Sequence, residues 1–99
     1  MADFNAFVEP RRRGRILQIL AQSNNQGCNV PLLRGIVRQT GYRAPDETIA
    51  IDLSFLAQHG FATLRDVGGI QLATITQRGR DVVSGDLGVP GIERPDDGA

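Results

Sequence analysis

The sequence predicts a mostly helical α+β domain in which three helices precede a two-stranded hairpin and a closing helix. Between residues 11 and 59, apolar side chains recur at helical spacing in three successive segments. After Gly60 the apolar period shortens towards two on both sides of a glycine-bearing turn, as in a β-hairpin. The 99 residues have room for one such domain, and a hydrophobic content of 40% suffices for a single core.

The first helix is predicted over residues 11–22, separate from an N-terminal arm or short helix over residues 1–10. We expect the break because Pro10 lacks the backbone N–H that a continuous helix needs. The apolar positions of the predicted helix are Ile16, Leu17, Ile19 and Leu20.

The second helix is predicted to follow Asn29, a residue type that caps helix N-termini, and to end at Gly41. The third helix is predicted from Asp46 to His59, with Gly60 after it. At 100° per residue, one side of each helix is apolar and forms the core. These core positions are Leu32, Leu33, Ile36 and Val37 in the second helix, and Ile49, Leu53, Leu56 and Ala57 in the third.

Two β-prone runs, Phe61–Arg65 and Ile70–Ile75, flank the turn Asp66-Val67-Gly68-Gly69 and predict a hairpin. Thr76 is expected to cap a last helix that runs to about Ser84, and the predicted domain thus covers residues 11–85. Residues 86–99 are rich in glycine, proline and acidic side chains. Such a composition predicts an acidic tail that is extended or disordered.

This order of elements is that of a winged helix-turn-helix. The segment Leu53–Phe61 resembles the end of a winged-helix recognition helix as it enters the wing, and Ile75-Thr76-Gln77-Arg78-Gly79 resembles the Leu-Thr-x-x-Gly motif after the wing. Segments 66–69, 76–82 and 89–95 also resemble the small winged-helix proteins of Mu-like bacteriophages and prophages, often labelled as ArsR-type regulators. The resemblance implies a phage-encoded winged-helix protein. It implies no metal sensing, because Cys28 is the sole cysteine where metal-responsive ArsR proteins have thiolate clusters.

The charges are distributed unevenly along a chain whose formal net charge is zero. All the basic side chains are arginines, and ten of the 11 lie between residues 10 and 80, together with only four acidic residues. Both terminal segments are acidic. This asymmetry predicts that the central region binds a polyanion or an acidic partner.

Double-stranded DNA is the polyanion that the predicted fold favours, with arginines gripping phosphate groups. Arg34 and Arg38 share one helix face, and four arginines open the first helix, where the helix dipole disfavours cations unless an anion binds. The predicted phosphate contacts are Arg11, Arg12, Arg13, Arg15, Arg34, Arg38, Arg43 and Arg65. Ser54 and Gln58 are predicted to contact base edges. A homodimer is expected, because one small module offers limited contact area.

The third helix also supports a different interpretation. Residues 44–60 contain three acidic side chains and no arginine, and Ile51 and Phe55 form an i, i+4 apolar pair opposite the core face. This pair predicts an interface with a second protomer, with a phage protein, or with the chain's own arm through Phe4 and Phe7, unless Phe55 packs under the wing. The apolar peptide Val89–Ile92 in the tail is a second candidate for docking on a partner in phage assembly, packaging or regulation.

Enzymatic chemistry is not expected. His59 and Cys28 are the sole residues of their types, so neither a catalytic triad nor a soft-ligand zinc site can be assembled. We therefore predict no cofactor, no metal and no small-molecule substrate. The sequence also contains no apolar run near the ~20 residues of a membrane span and no signal peptide, so we expect the protein in the cytoplasm of the bacterial host, away from membranes.

Overall fold

The structure of the protein, a computed structural model, describes residues 4–23 and 27–93, with side chains from Val8 onward. It is a winged-helix fold of the α+β class, as predicted. The helices are α1 (Phe4–Gln22), α2 (Val30–Gln39), α3 (Asp46–Gln58) and α4 (Gln77–Ser84), and the strands are β1 (Cys28–Asn29), β2 (Ala62–Val67) and β3 (Ile70–Ile75).

The three strands form an antiparallel sheet in the order β1-β3-β2. In the wing, Ala62 pairs with Ile75 and Val67 pairs with Ile70. The connection is two residues long, because Gly68 and Gly69 both adopt positive φ angles, 60° and 85°. Such a pair is what a tight hairpin turn requires, so β2 continues two residues beyond the predicted Arg65.

Strand β1 was not predicted. It contains only Cys28 and Asn29, which pair with Ala73 and Leu72 of β3. Two residues are too few to show a strand period, and this pairing depends on a strand more than 40 positions away.

The predicted caps of α2 and α4 are confirmed. Asn29 accepts a hydrogen bond from the Leu32 N–H at 2.8 Å. Thr76 Oγ1 accepts one from the Gly79 N–H at 3.0 Å and donates to the Gly60 carbonyl at 2.6 Å. Thr76 thereby ties the start of α4 to the turn that follows α3.

The predicted break at Pro10 is wrong, because α1 runs through it as one helix. Pro10 lies in the second turn, where its missing N–H removes one helical hydrogen bond near a helix end. The twelve residues that follow keep an uninterrupted helical pattern and bury Ile16, Leu17 and Leu20 completely or almost completely. Their packing outweighs the loss of one bond.

Residues 86–93 form neither a helix nor a strand, but they pack on the domain, so the expected disorder is wrong for them. Leu87 and Val89 pack against the core, and Ile92 is only 8% exposed. The Glu93 N–H donates to the Pro10 carbonyl at 2.9 Å, which fastens this segment to α1. Val89–Ile92 is therefore occupied by the protein's own core and is not a free docking peptide. Residues 94–99 of the predicted tail lie outside the described residues.

The core joins one face of every helix to the inner face of the sheet. Its largest fully buried side chains are Phe61, Ile16, Leu17, Leu20, Leu33, Ile49, Leu53, Leu56 and Val37. In the described part of the chain, no helix is both long enough and apolar enough to span a membrane.

Candidate nucleic-acid interface

Three of the predicted phosphate-binding arginines lie together at the junction of α2 and α3. Together with Ala44 and Pro45, these arginines line a surface groove of about 410 Å³; they are Arg34, Arg38 and Arg43. Helical spacing places the first two on one side of α2, and the connection from Thr40 to Pro45 brings the third beside them. The groove therefore opens next to the N-terminus of α3.

The three arginines differ in what they already contact. Arg34 Nε lies 3.3 Å from Asp46 Oδ1, and both side chains are about half exposed, at 52% and 48%. Arg38 and Arg43 are exposed, and neither side chain has a hydrogen-bond or ion-pair partner within residues 8–23 and 27–93. Two guanidinium groups are thus available to an anion in the groove.

The outer face of α3 is exposed along its length and carries no cation. Its members recur at i, i+4, i+7 and i+11, and Ile51 is 58% exposed. They are Glu47, Ile51, Ser54 and Gln58. The predicted base-reading residues Ser54 and Gln58 therefore share a solvent-facing stripe with Ile51 and with one acid.

Arg65 lies on the wing, where it is exposed and pairs across the hairpin with Leu72. Its side chain has no ion pair or hydrogen bond among the described residues. It remains a candidate for contact with phosphate.

Arg12 is not available to phosphate, which corrects the prediction for this residue. Its Nη2 donates to Asp52 Oδ1 at 3.1 Å and its Nε donates to Oδ2. The arginine is 6% exposed and the aspartate 1%. The hydrogen bonds to Asp52 hold the pKa of Arg12 above its ordinary value, against the opposing effect of desolvation. This cation joins α1 to α3.

Arg13 is also used internally, so its prediction as a phosphate contact is corrected too. Its guanidinium carbon lies 3.9 Å from the centre of the Phe55 ring, and its Nη1 donates to the Gly91 carbonyl at 3.1 Å. Its Nε lies 3.5 Å from Asp52 Oδ1, and its side chain is 13% exposed. A single arginine thereby connects α1, α3 and the segment after α4.

The same contacts correct the prediction that Phe55 is an exposed anchor beside Ile51. Arg13 covers one side of the Phe55 ring, and His59 stacks on it with ring centres 4.2 Å apart. Phe55 is consequently half-buried, while Ile51 stays in solvent. The predicted partners Phe4 and Phe7 have side chains outside the described residues.

The other two arginines at the start of the predicted first helix have weaker internal contacts. Arg11 forms an ion pair with Glu93 at 3.3 Å, at the surface. Arg15 is half-buried and donates to Gln18 Oε1 at 2.6 Å. The cluster of four therefore does not form one phosphate-binding surface.

Two arginines of α4 satisfy carbonyl groups at the ends of other helices. Arg78 Nε donates to the His59 carbonyl at 3.2 Å, and Arg80 Nη1 donates to the Ala21 carbonyl at 3.5 Å. These positions near the C-termini of α3 and α1 suit a cation.

The role of Asp52 was not predicted, because this residue was expected to be one of the exposed acids of the third helix. A signal was available, because Ile49, Asp52, Leu53 and Leu56 follow the i, i+3, i+4, i+7 pattern of a buried face. A carboxylate in such a pattern needs a cation from another element. Arg12 and Arg13, in the middle of α1, supply it, although Arg43 and Arg65 are closer to Asp52 in the sequence.

Comparison with known proteins supports a viral connection and the fold. No protein-family model matches the chain. The chain is 29% identical over 91 residues to "Uncharacterized protein gp26" of Escherichia phage Mu, which covers 92% of this chain and 94% of that protein. The structure of this chain is similar to the crystal structure of SSV1 F-93, with a TM-score of 0.56 and 21% sequence identity. The match covers 71% of this chain and 74% of that one. At this identity the second likeness supports the fold alone.

Proposed function

We propose that this protein is a non-enzymatic DNA-binding protein of a phage or prophage, and that it regulates transcription as a homodimer in the host cytoplasm. The observation that carries the proposal is the groove at the α2–α3 junction, where Arg38 and Arg43 are exposed beside Arg34. The likeness to a phage Mu protein supports the viral setting. Among the small winged-helix proteins labelled as ArsR-type, we place it with those that sense no metal, since the Cys28 thiol is buried against Ser23.

The chemistry of the groove suits the DNA backbone. Each guanidinium offers a planar fork of donors that matches two oxygens of a phosphate. The net charge of the whole chain is zero, so long-range attraction is weak and binding depends on this local cluster.

The position of the groove also determines which part of a bound DNA duplex would face α3. In helix-turn-helix complexes, the recognition helix contacts bases with its N-terminal part while neighbouring residues hold the backbone. A phosphate in the groove would therefore bring the outer face of α3 to the major groove. There, Ile51 in the N-terminal half of α3 would contact a thymine methyl group. Ser54 and Gln58 lie in the C-terminal half, so they would contact base edges where the helix runs along the groove.

The test is fluorescence anisotropy of a labelled generic duplex, titrated with protein at a series of salt concentrations. We expect binding at low salt that weakens steeply as salt rises, by about 0.9 in log–log slope for each phosphate contact. The double variant Arg38→Ala, Arg43→Ala should lower affinity for all sequences alike and reduce the slope by about 1.8.

The single variant Arg78→Ala is the control for a lost positive charge. Arg78 contacts His59 at the far end of the 13-residue helix α3, about 20 Å from the groove, beyond the screening length of about 8 Å at physiological salt. From about 0.1 M salt upward, where the screening length is this short, Arg78→Ala should leave the slope unchanged. Absence of binding at low salt, or an unchanged slope in the double variant, would contradict the proposal.

A second candidate function rests on Ile51. This side chain is 58% exposed on a face with Glu47 and no arginine, which suits an interface with protein as well as one with DNA. If α3 mediates dimerisation, Ile51→Glu should convert a dimer into a monomer in light scattering without loss of helical content. If the mass is unchanged and DNA binding is lost, the face contacts DNA.

A further inference from the structure

One arginine of the groove is in contact with an acidic side chain. Asp46 is the first residue of α3, and its Oδ1 lies 3.3 Å from Arg34 Nε. That oxygen is buried, yet it accepts no hydrogen bond among the described residues. The contact is therefore an ion pair without hydrogen-bond geometry.

We propose that the Asp46 carboxylate competes with DNA phosphate for Arg34 and so limits binding at this groove. In the free protein the carboxylate occupies Arg34, and a backbone phosphate must displace it before three arginines can act together. This inference rests on the proposed function and adds to it a means by which affinity is restrained.

Phosphate is a better partner for Arg34 than the Asp46 carboxylate is. A phosphate can accept two parallel hydrogen bonds from the guanidinium fork, whereas Asp46 makes one contact with Nε and no hydrogen bond. Half-exposed ion pairs contribute little free energy, so the pair opens at small cost. The free energy lost when the ion pair opens is the penalty that DNA binding must overcome.

The penalty does not depend on DNA sequence. It lowers affinity for every duplex, and therefore keeps the protein off DNA with which it makes phosphate contacts alone. Sites at which α3 adds base contacts have the additional free energy to overcome it.

Glu47 provides a stringent control, because it lies on the face of α3 that would meet DNA and reports the gain in affinity from removing one acid by charge alone. It is the next residue of α3, carries the same charge, lies in the same first turn and is exposed. Unlike Asp46, it has no ion pair or hydrogen bond within the described ranges. Neutralising either acid has the same effect on net charge and removes one favourable interaction with the N-terminus of the helix.

The experiment measures the dissociation constant of a generic duplex at low salt for the wild type, Asp46→Asn and Glu47→Gln. We expect Asp46→Asn to bind about two- to fivefold more tightly than Glu47→Gln, the fold-change that corresponds to an exposed ion pair. The same pair is then compared in an Arg34→Ala background. There the two proteins should bind equally, because the advantage of Asp46→Asn depends on Arg34.

Each result has one meaning. Equal affinities of Asp46→Asn and Glu47→Gln, with measurable binding by the wild type, would overturn this inference and leave the proposed function intact. An advantage that persists without Arg34 would also overturn it, since the acid would then act by charge alone. Failure of all these proteins to bind would overturn the proposed function and this inference together.

Discussion

Arg12 of α1 and Asp52 of α3, 40 positions apart in the chain, form a bidentate ion pair in the interior of the domain. Arg13 approaches the same carboxylate to 3.5 Å. One buried acid is thus shared by two cations, which compensates the cost of removing it from water. The pair holds α1 against the inner side of α3 and leaves the outer side of α3 free for a partner.

Removal of one member of this pair should be strongly destabilising. Asp52→Ala leaves the Arg12 charge buried without its partner, and we expect a loss of about 3–5 kcal/mol in the free energy of unfolding. Urea denaturation followed by circular dichroism measures it. The exposed acid Glu47 provides the control, with a change within about 0.5 kcal/mol for Glu47→Ala.

The double variant Arg12→Met, Asp52→Leu separates charge from packing. It removes both members of the pair and should be more stable than Asp52→Ala alone, because no unpaired charge remains at position 12. A single variant Asp52→Ala as stable as the wild type would show that the pair contributes nothing.

Gly79 and Gly35 should respond in opposite directions to the same substitution. A Cβ atom at Gly79 would overlap the Phe61 carbonyl oxygen and lie 2.7 Å from Ile75 Cγ1, whereas a Cβ at Gly35 would meet nothing within 4 Å. We expect Gly79→Ala to destabilise the protein by about 3 kcal/mol through overpacking. Gly35→Ala should stabilise it by about 0.5–1 kcal/mol, since α2 gains a better helix former. Thermal denaturation of both variants measures these changes in stability. A Gly79→Ala variant as stable as the wild type would refute the close approach of α4 to the wing.

Ile92 tests whether the segment after α4 belongs to the core. It is 8% exposed, while Ile51 on α3 is 58% exposed. Ile92→Ala should cost about 2–3 kcal/mol of unfolding free energy through lost burial and an incompletely collapsed cavity. Ile51→Ala makes the same chemical change at the surface and should cost less than about 0.5 kcal/mol. Equal effects in chemical denaturation would mean that residues 86–93 do not pack as described.

Arg65 tests the contribution of the wing to DNA binding. If it contacts one phosphate, Arg65→Ala should reduce the log–log salt slope by about 0.9 on any duplex. Gln71, on the neighbouring strand, is exposed and uncharged, and Gln71→Ala should leave the slope unchanged. A wing that does not reach the backbone would give the same slope for both variants.

The candidate site was only partly predictable from the sequence. Arg34 and Arg38 share a face because both lie on one helix, and this placement follows from spacing alone. The loss of Arg12 and Arg13 from the predicted phosphate contacts depends on Asp52 and Phe55, about 40 positions away in the chain. Helical spacing places Arg12 and Arg13 one turn before the buried Ile16 and Leu17, whereas Arg11 and Arg15 share a face with Gln18 and Gln22. This pattern separates the two pairs of arginines, but it does not identify Asp52 and Phe55 as their partners.

The elements that could be predicted from the sequence are those whose signals are local. Helical period, the caps Asn29 and Thr76 and the two-glycine turn each act within a few residues, and together they specify the order of a winged helix. The tertiary structure alone decided strand β1, the docking of Ile92 and the burial of Arg12. These features exist only because distant segments meet, and their free energy comes from burial and ion pairing across that distance. Helical period can place a residue on a buried face, but it does not say which distant segment packs there.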